Sequence, residues 1–160
     1  MKIHHKLITM KKICIALDTS SSAEKIAAIG YEYGKALNAE VILIHVIYDS
    51  SIYVSDFDPT MDYAGFMVKN NAEFTKSIFE QAESFLEAIA KYLGEPDLET
   101  KVLEGDAYDE ILNFAYSWEA DLLVLGTHSQ SSWEDLLLGN IASKIVKHSK
   151  IPLLVVPIKD

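Results

Sequence analysis

Between Gly126 and Asn140 the chain reads Gly126-Thr127-His128-Ser129-Gln130-Ser131-Ser132-Trp133-Glu134-Asp135-Leu136-Leu137-Leu138-Gly139-Asn140. A glycine at the end of an apolar run permits a tight turn and lets a ligand approach the backbone. Ser129, Ser131 and Ser132 add hydroxyl donors near a helix start, where free backbone N–H groups attract anions. The chemistry this favours is phosphate binding. The competing reading is that the serines only cap a helix and Gly126 only turns the chain. His128, with Asp18 and Asp106 as neighbours, has the residue type for acid–base work. It lacks a nucleophile partner, so a histidine hydrogen-bonded to loop backbone is favoured. His45 falls inside an apolar run and reads as a satisfied core residue. The run Asp56-Phe57-Asp58-Pro59-Thr60-Met61-Asp62 imitates a calcium loop. Met61 stands where that loop needs glycine and Met67 where it needs a bidentate glutamate, which excludes it. No His, Cys and carboxylate spacing matches a zinc site.

The elements that must position these residues are legible as alternating apolar runs. Lys12 to Asp18 is too short for a helix and reads as a strand buried on both faces. Ser21-x-x-Glu24 has capping-box spacing for a helix that carries Ile26, Ala27, Gly30, Tyr33, Gly34 and Leu37 and stops at Asn38. Val41 to Ile47 is a second buried strand. From Tyr48 to about Asn70 no period is sustained, and a long surface loop is expected, its Tyr53, Phe57, Tyr63 and Phe66 packing over the sheet end or forming a lid. A helix is expected from Ala72 to Leu93, ended by Gly94 and Pro96, then a polar edge strand from Leu98 to Leu103. Gly105-Asp106 opens a third helix, Asp121 to Gly126 is a buried strand, Ser132 to His148 a fourth helix, and Pro152 to Pro157 a last strand. Trp118 and Trp133 flank strand 4 and are expected to pack on helices. Five strands alternating with four helices require a parallel sheet with helices on both faces, an α/β fold; in the common arrangement this is a doubly wound three-layer sandwich whose five-stranded sheet has the order 3-2-1-4-5. Ligands of such sheets bind outside the carboxyl ends where strand order reverses, here between the ends of strand 1 at Asp18 and strand 4 at Gly126.

Composition narrows the function further. The chain has 160 residues and a net charge of −10, from 14 basic and 24 acidic residues, and every basic residue is lysine. That length suits one domain, residues 11–158, preceded by an N-terminal extension, residues 1–10. An acidic chain without arginine is a poor nucleic-acid binder, and it supplies neither an arginine finger nor a bidentate arginine clamp. No apolar stretch approaches the roughly 20 residues of a membrane span. The single cysteine, Cys14, lies in an apolar run and fits a reducing compartment; a cytoplasmic protein is expected.

The ordered set Ile13 to Asp18, His45-Val46, Gly105-Asp106, Asp121 to His128, Leu136 to Gly139 and Ile151 to Pro157 resembles the universal stress protein family across residues 11–158. The resemblance implies a dimer, often paired through the last strand (Leu153, Leu154, Val155, Val156), a regulatory or protective stress-response role, and no enzymatic turnover. The nucleotide-binding branch of that family carries Gly-x-x-Gly-x9-Gly followed by Ser or Thr. The matching positions here are Gly126, Ser129, Gly139 and Asn140: the spacing is kept and two of the four residues differ. By the same resemblance, Asp18 and Val46 would meet the base and nucleoside of ATP or another adenine nucleotide. Val46 would act through its backbone, and Gly126, His128, Ser129, Gly139 and Asn140 would lie around the phosphates. The net charge works against a triphosphate unless Mg²⁺ accompanies it. Lys144, one turn beyond Asn140, reads as a solvated helix lysine. Two alternatives remain: a partner-binding module whose nucleotide site has decayed and, ranked below it, a nucleotide hydrolase or nucleotidyl transferase.

Overall fold

The computed structural model describes residues 9–48, 64–127 and 139–158. In chain order they form β1 (Lys12–Ala16), α1 (Ala23–Leu37), β2 (Glu40–Ile47), α2 (Ala64–Tyr92), β3 (Glu99–Glu104), α3 (Ala107–Ser117), β4 (Leu122–Gly126), α4 (Asn140–His148) and β5 (Leu153–Val156). The sheet runs β3-β2-β1-β4-β5, the order expected of the common arrangement, and every neighbouring pair is parallel, as the alternation requires.

The strand pleat divides the core. Ile13 and Ile15 face α1 and α2, joining Ile26, Ala27, Leu86 and Ile89. Cys14 and Ala16 face the other way, onto Ile111, Leu112, Ala115, Ala142 and Ile145 of α3 and α4. Both faces are covered, which is why β1 reads as an unbroken apolar run. Helix α1 lies close to the sheet because Gly30 and Gly34 have no side chain: a Cβ at Gly30 would stand 2.6 Å from Ile15 Cδ1, and one at Gly34 would meet Val41 Cγ2. At the amino ends of the strands the Asp121 carboxylate accepts the N–H groups of Lys11 (2.8 Å) and Lys12 (3.0 Å), joining β1 to β4.

Several boundaries differ from the expectations. Helix α1 is capped at Ser22 with no side-chain hydrogen bond, so the Ser21–Glu24 capping box does not form. Asn38 does end this helix, in the left-handed conformation at φ 52°. Helix α2 begins at Ala64, so residues 64–70 are helical and not loop. Gly65, Asn70 and Asn71 dilute the periodic signal there, yet a helix nucleated further along extends cheaply, one hydrogen bond per residue. Gly139, expected inside a helix starting at Ser132, is instead the N-cap of α4 with extended backbone (φ −53°, ψ 160°), and no helix runs through it. Tyr33, Leu37, Ile141 and Val146 have core spacing but are 50%, 44%, 39% and 43% exposed; a helix lying on a sheet buries a narrower stripe than its apolar face. Trp118 stacks on Phe114 of α3, with Lys12 Nζ 4.9 Å from its ring centroid. Tyr53, Phe57, Tyr63 and Trp133 lie outside the described residues.

Burial pushes the Cys14 thiol up to about 12. An unfolded thiol titrates near about 8.5, so between these values the folded chain keeps a proton that the unfolded chain has lost. The thiol's contribution to stability is therefore complete below about pH 8.5 and falls as pH rises toward 12. Urea melts at neutral and alkaline pH should show a smaller alkaline loss in Cys14→Ala than in the wild type, and iodoacetamide should label Cys14 only on unfolding.

Candidate functional site

At the carboxyl ends of β1, β2 and β4 the described residues enclose a cleft of about 620 Å³, within the size range of small-molecule sites. It lies where the strand order reverses, because β1 is flanked by β2 on one side and β4 on the other. Five of the seven residues singled out from the sequence line it: Asp18, Val46, Gly126, Gly139 and Asn140. The other two, His128 and Ser129, lie outside the described residues.

Each arrives by a local rule. Asp18 follows the end of β1, and its Oδ1 accepts the Ser20 N–H at 3.0 Å, an Asx-type turn that holds the carboxylate at the cleft. Ser20 Oγ is shielded from solvent with no partner among the described residues. Val46 is exposed to the cleft through a length mismatch between strands. Pairing of β1 with β2 ends at Ala16–Ile44, and the last bond runs from the Leu17 N–H to the Ile44 carbonyl. Strand β2 continues to Ile47 against β3. Backbone groups of alternate residues point to the same side of a strand. The N–H and C=O of Val46 therefore turn toward the β1 side, as those of Ile44 do, beyond the point where β1 has a residue to offer. A donor and an acceptor thus stand side by side at the cleft.

Gly126 is still strand residue and not a left-handed turn. Its need for glycine is space: a Cβ there would meet Ile26 Cδ1 and stand 2.8 Å from Ile158 Cδ1, the two side chains that close the floor beneath it. This replaces the tight-turn reading of that glycine. Gly139 and Asn140 bring the first turn of α4 to the opposite wall. Among the described residues no side chain caps this helix end, and no acidic residue lies in its first turn; the amides of a helix start carry partial positive charge.

The sequence reading missed the site role of two residues. His45 is partly buried and lines the cleft; its Nδ1–H donates to the Leu17 carbonyl at 2.7 Å, and its ring meets Phe85 edge-on at 5.5 Å. A carbonyl only accepts, so that bond requires a proton on Nδ1 and turns the Nε2 edge of the ring away from Leu17. Tyr48, 64% exposed, stands at the rim. Asp106 is committed elsewhere, accepting the Asp109 N–H at 3.2 Å as the N-cap of α3. Lys144 points its ammonium over the Tyr108 ring, 5.8 Å from the centroid. Among the described residues no three His, Cys, Asp or Glu side chains converge to hold a metal ion, and no helix is long and apolar enough to cross a membrane.

An all-parallel, doubly wound sheet with a cleft at its switch point is the α/β arrangement in whose clefts small molecules commonly bind. The chain belongs to the universal stress protein family, whose model matches residues 9–157. It is 32% identical over 161 residues to universal stress protein MJ0577 of Methanocaldococcus jannaschii, covering 96% of this chain and 98% of that protein. It is 27% identical over 150 residues to universal stress protein A of Escherichia coli K12, covering 94% and 96%. A solved structure of MJ0577 superposes with a TM-score of 0.70 at 26% identity, covering 96% of this chain and 99% of that one. A universal stress protein crystallised in complex with cAMP shares the fold at a TM-score of 0.59 and 22% identity, covering 92% and 97%.

Proposed function

We propose that this chain is a stress-response binding protein that takes an adenine nucleotide in the cleft between β1 and β4, acting by binding and not by turnover. The observation that carries the reading is the backbone of Val46, whose adjacent donor and acceptor match the paired acceptor and donor on an edge of adenine. Asp18, in the same cleft at the end of β1, would accept a hydrogen bond from the nucleoside, and the helix-start amides at Gly139 and Asn140 suit a phosphate. Ser129 and His128 belong to the same proposal at the phosphate end. The cAMP complex of a protein with this fold supports the ligand class. The buried, unreactive thiol of Cys14 fits a cytoplasmic setting. Thermal unfolding tests the proposal: an adenine nucleotide at about 100 times its Kd should add about 2.7 kcal/mol and raise the midpoint by about 5–11 °C, while guanine nucleotides should not. Equal shifts with both, or none, would refute it.

Asn140, in place of a hydroxyl residue, favours a second reading in which the cleft has lost its nucleotide and the protein acts through partners. Either reading includes a homodimer through β5. That strand is an edge, and its bonds to β4 use the Pro152 and Val156 carbonyls. By alternation the backbone of Leu153 and Val155 points outward and is free to pair with a second copy. Val155→Pro removes an outward N–H and no bond to β4, so it should yield a folded monomer in analytical ultracentrifugation; an unchanged dimer would rule out strand pairing.

A further inference from the structure

We infer that His45 is a positioning residue of the cleft: its ring takes the Leu17 carbonyl that the next rung of the β1–β2 ladder would use, and so leaves the Val46 N–H open to a ligand. This rests on the adenine reading above and names the side chain that makes it possible. In a parallel pair the bonds are evenly spaced, and alternate residues of each strand face the partner. The rungs run from the Glu40 N–H on the Lys11 carbonyl, at 2.7 Å, to the Leu17 N–H on the Ile44 carbonyl, at 2.9 Å. One step further, the ladder would set the Val46 N–H on the Leu17 carbonyl. That rung does not form, although β2 runs on to Ile47 against β3. The Leu17 carbonyl accepts from His45 Nδ1 instead, at 2.7 Å.

The backbone groups of Ile44 and Val46 turn toward β1, so those of His45 turn toward β3, and only its side chain reaches Leu17. Phe85 of α2 supports the ring edge-on at 5.5 Å. Leu17, His45 and Val46 all line the cleft. A partly buried carbonyl deprived of its donor would recruit the nearest N–H, because leaving the bond unmade costs more than the bond contributes. By register that N–H belongs to Val46. The imidazole satisfies the carbonyl without closing the strand pair, and the cleft keeps its backbone donor.

Amide hydrogen exchange on the ligand-free full chain, read by NMR at Val46, tests this before any nucleotide is added. In the wild type Val46 should exchange at least about a hundredfold faster than Ile44, which sits within the formed ladder. His45→Phe keeps a ring against Phe85 and loses the donor. Its Val46 amide should close onto Leu17, exchanging about tenfold more slowly than in the wild type, and AMP should bind about tenfold more weakly. His45→Asn supplies a side-chain N–H near the place of Nδ1 and should restore both values. A histidine that merely stapled β1 to β2 would leave Val46 exchange unchanged or faster in His45→Phe. That result overturns the inference, as does an AMP affinity indifferent to His45→Phe. A wild-type Val46 amide as protected as Ile44 also overturns it, and that reading needs no variant to fold. If Val46 exchanges as expected and AMP does not bind the wild type, the adenine reading fails while the hold of His45 on the amide stands.

Discussion

Val46→Pro is expected to weaken adenine-nucleotide binding by about ten- to a hundredfold while leaving the sheet assembled. The N–H it removes faces the β1 side beyond the last β1–β2 bond, so the β2–β3 ladder loses nothing. The bound base, by contrast, is left with an acceptor that has neither protein nor water to pair with, a loss of about 1–3 kcal/mol. Val46→Ala keeps the backbone and should bind within a few-fold of wild type. Calorimetry on both variants, with circular dichroism to confirm folding, separates backbone from side-chain recognition. The reverse order of affinities would show that the side chain, not the amide, meets the ligand. On the wild type, adenosine should outcompete inosine, whose base presents a different donor and acceptor pattern.

A large loss of stability is expected from a side chain at Gly30. Alanine in a helix interior is ordinarily favoured over glycine by up to about 1 kcal/mol. Here a Cβ would lie 2.6 Å from Ile15 Cδ1 and 3.2 Å from Val124 Cγ1, both in the fully buried core. Gly30→Val should therefore cost about 1–3 kcal/mol through overpacking and lower the unfolding midpoint by about 2–12 °C. The close approach of α1 predicts its own rescue. Ile15→Val removes the Cδ1 atom, so Gly30→Ala combined with Ile15→Val should be more stable than the two single costs added together. Strict additivity in denaturant melts would show that α1 is not seated on Ile15.

The strands were readable because burial on both faces leaves a mark that local sequence alone carries. Ile13-Cys14-Ile15-Ala16 and Val41 to Ile47 have few polar residues to place, and a parallel sheet follows from their alternation with helices. Asp18, Val46, Gly126, Gly139 and Asn140 were found as site candidates because the switch-point rule and the family resemblance both point to strand ends. The role of His45 was hidden for a geometric reason. Inside β2 it looks like core, and it becomes a cleft residue only because β1 stops at Ala16 while β2 runs on to Ile47. The unequal lengths of the two apolar runs were the available signal. The reason for Gly126 was also out of reach: Ile26 and Ile158, the side chains that require its missing Cβ, are brought together only by the fold.

The most direct test of the account is to locate the ligand. In an amide-resolved NMR titration of the 15N-labelled full chain with AMP, the largest shifts should fall on Asp18, Val46, Gly126 and Asn140, which all line the one cleft. Lys12 and Asp121, joined at the opposite end of the sheet, should stay still. Saturable shifts centred on those four amides are the predicted result. Shifts centred on the amino ends of the strands or the outer face of α1, or none while the protein remains folded, would contradict the account.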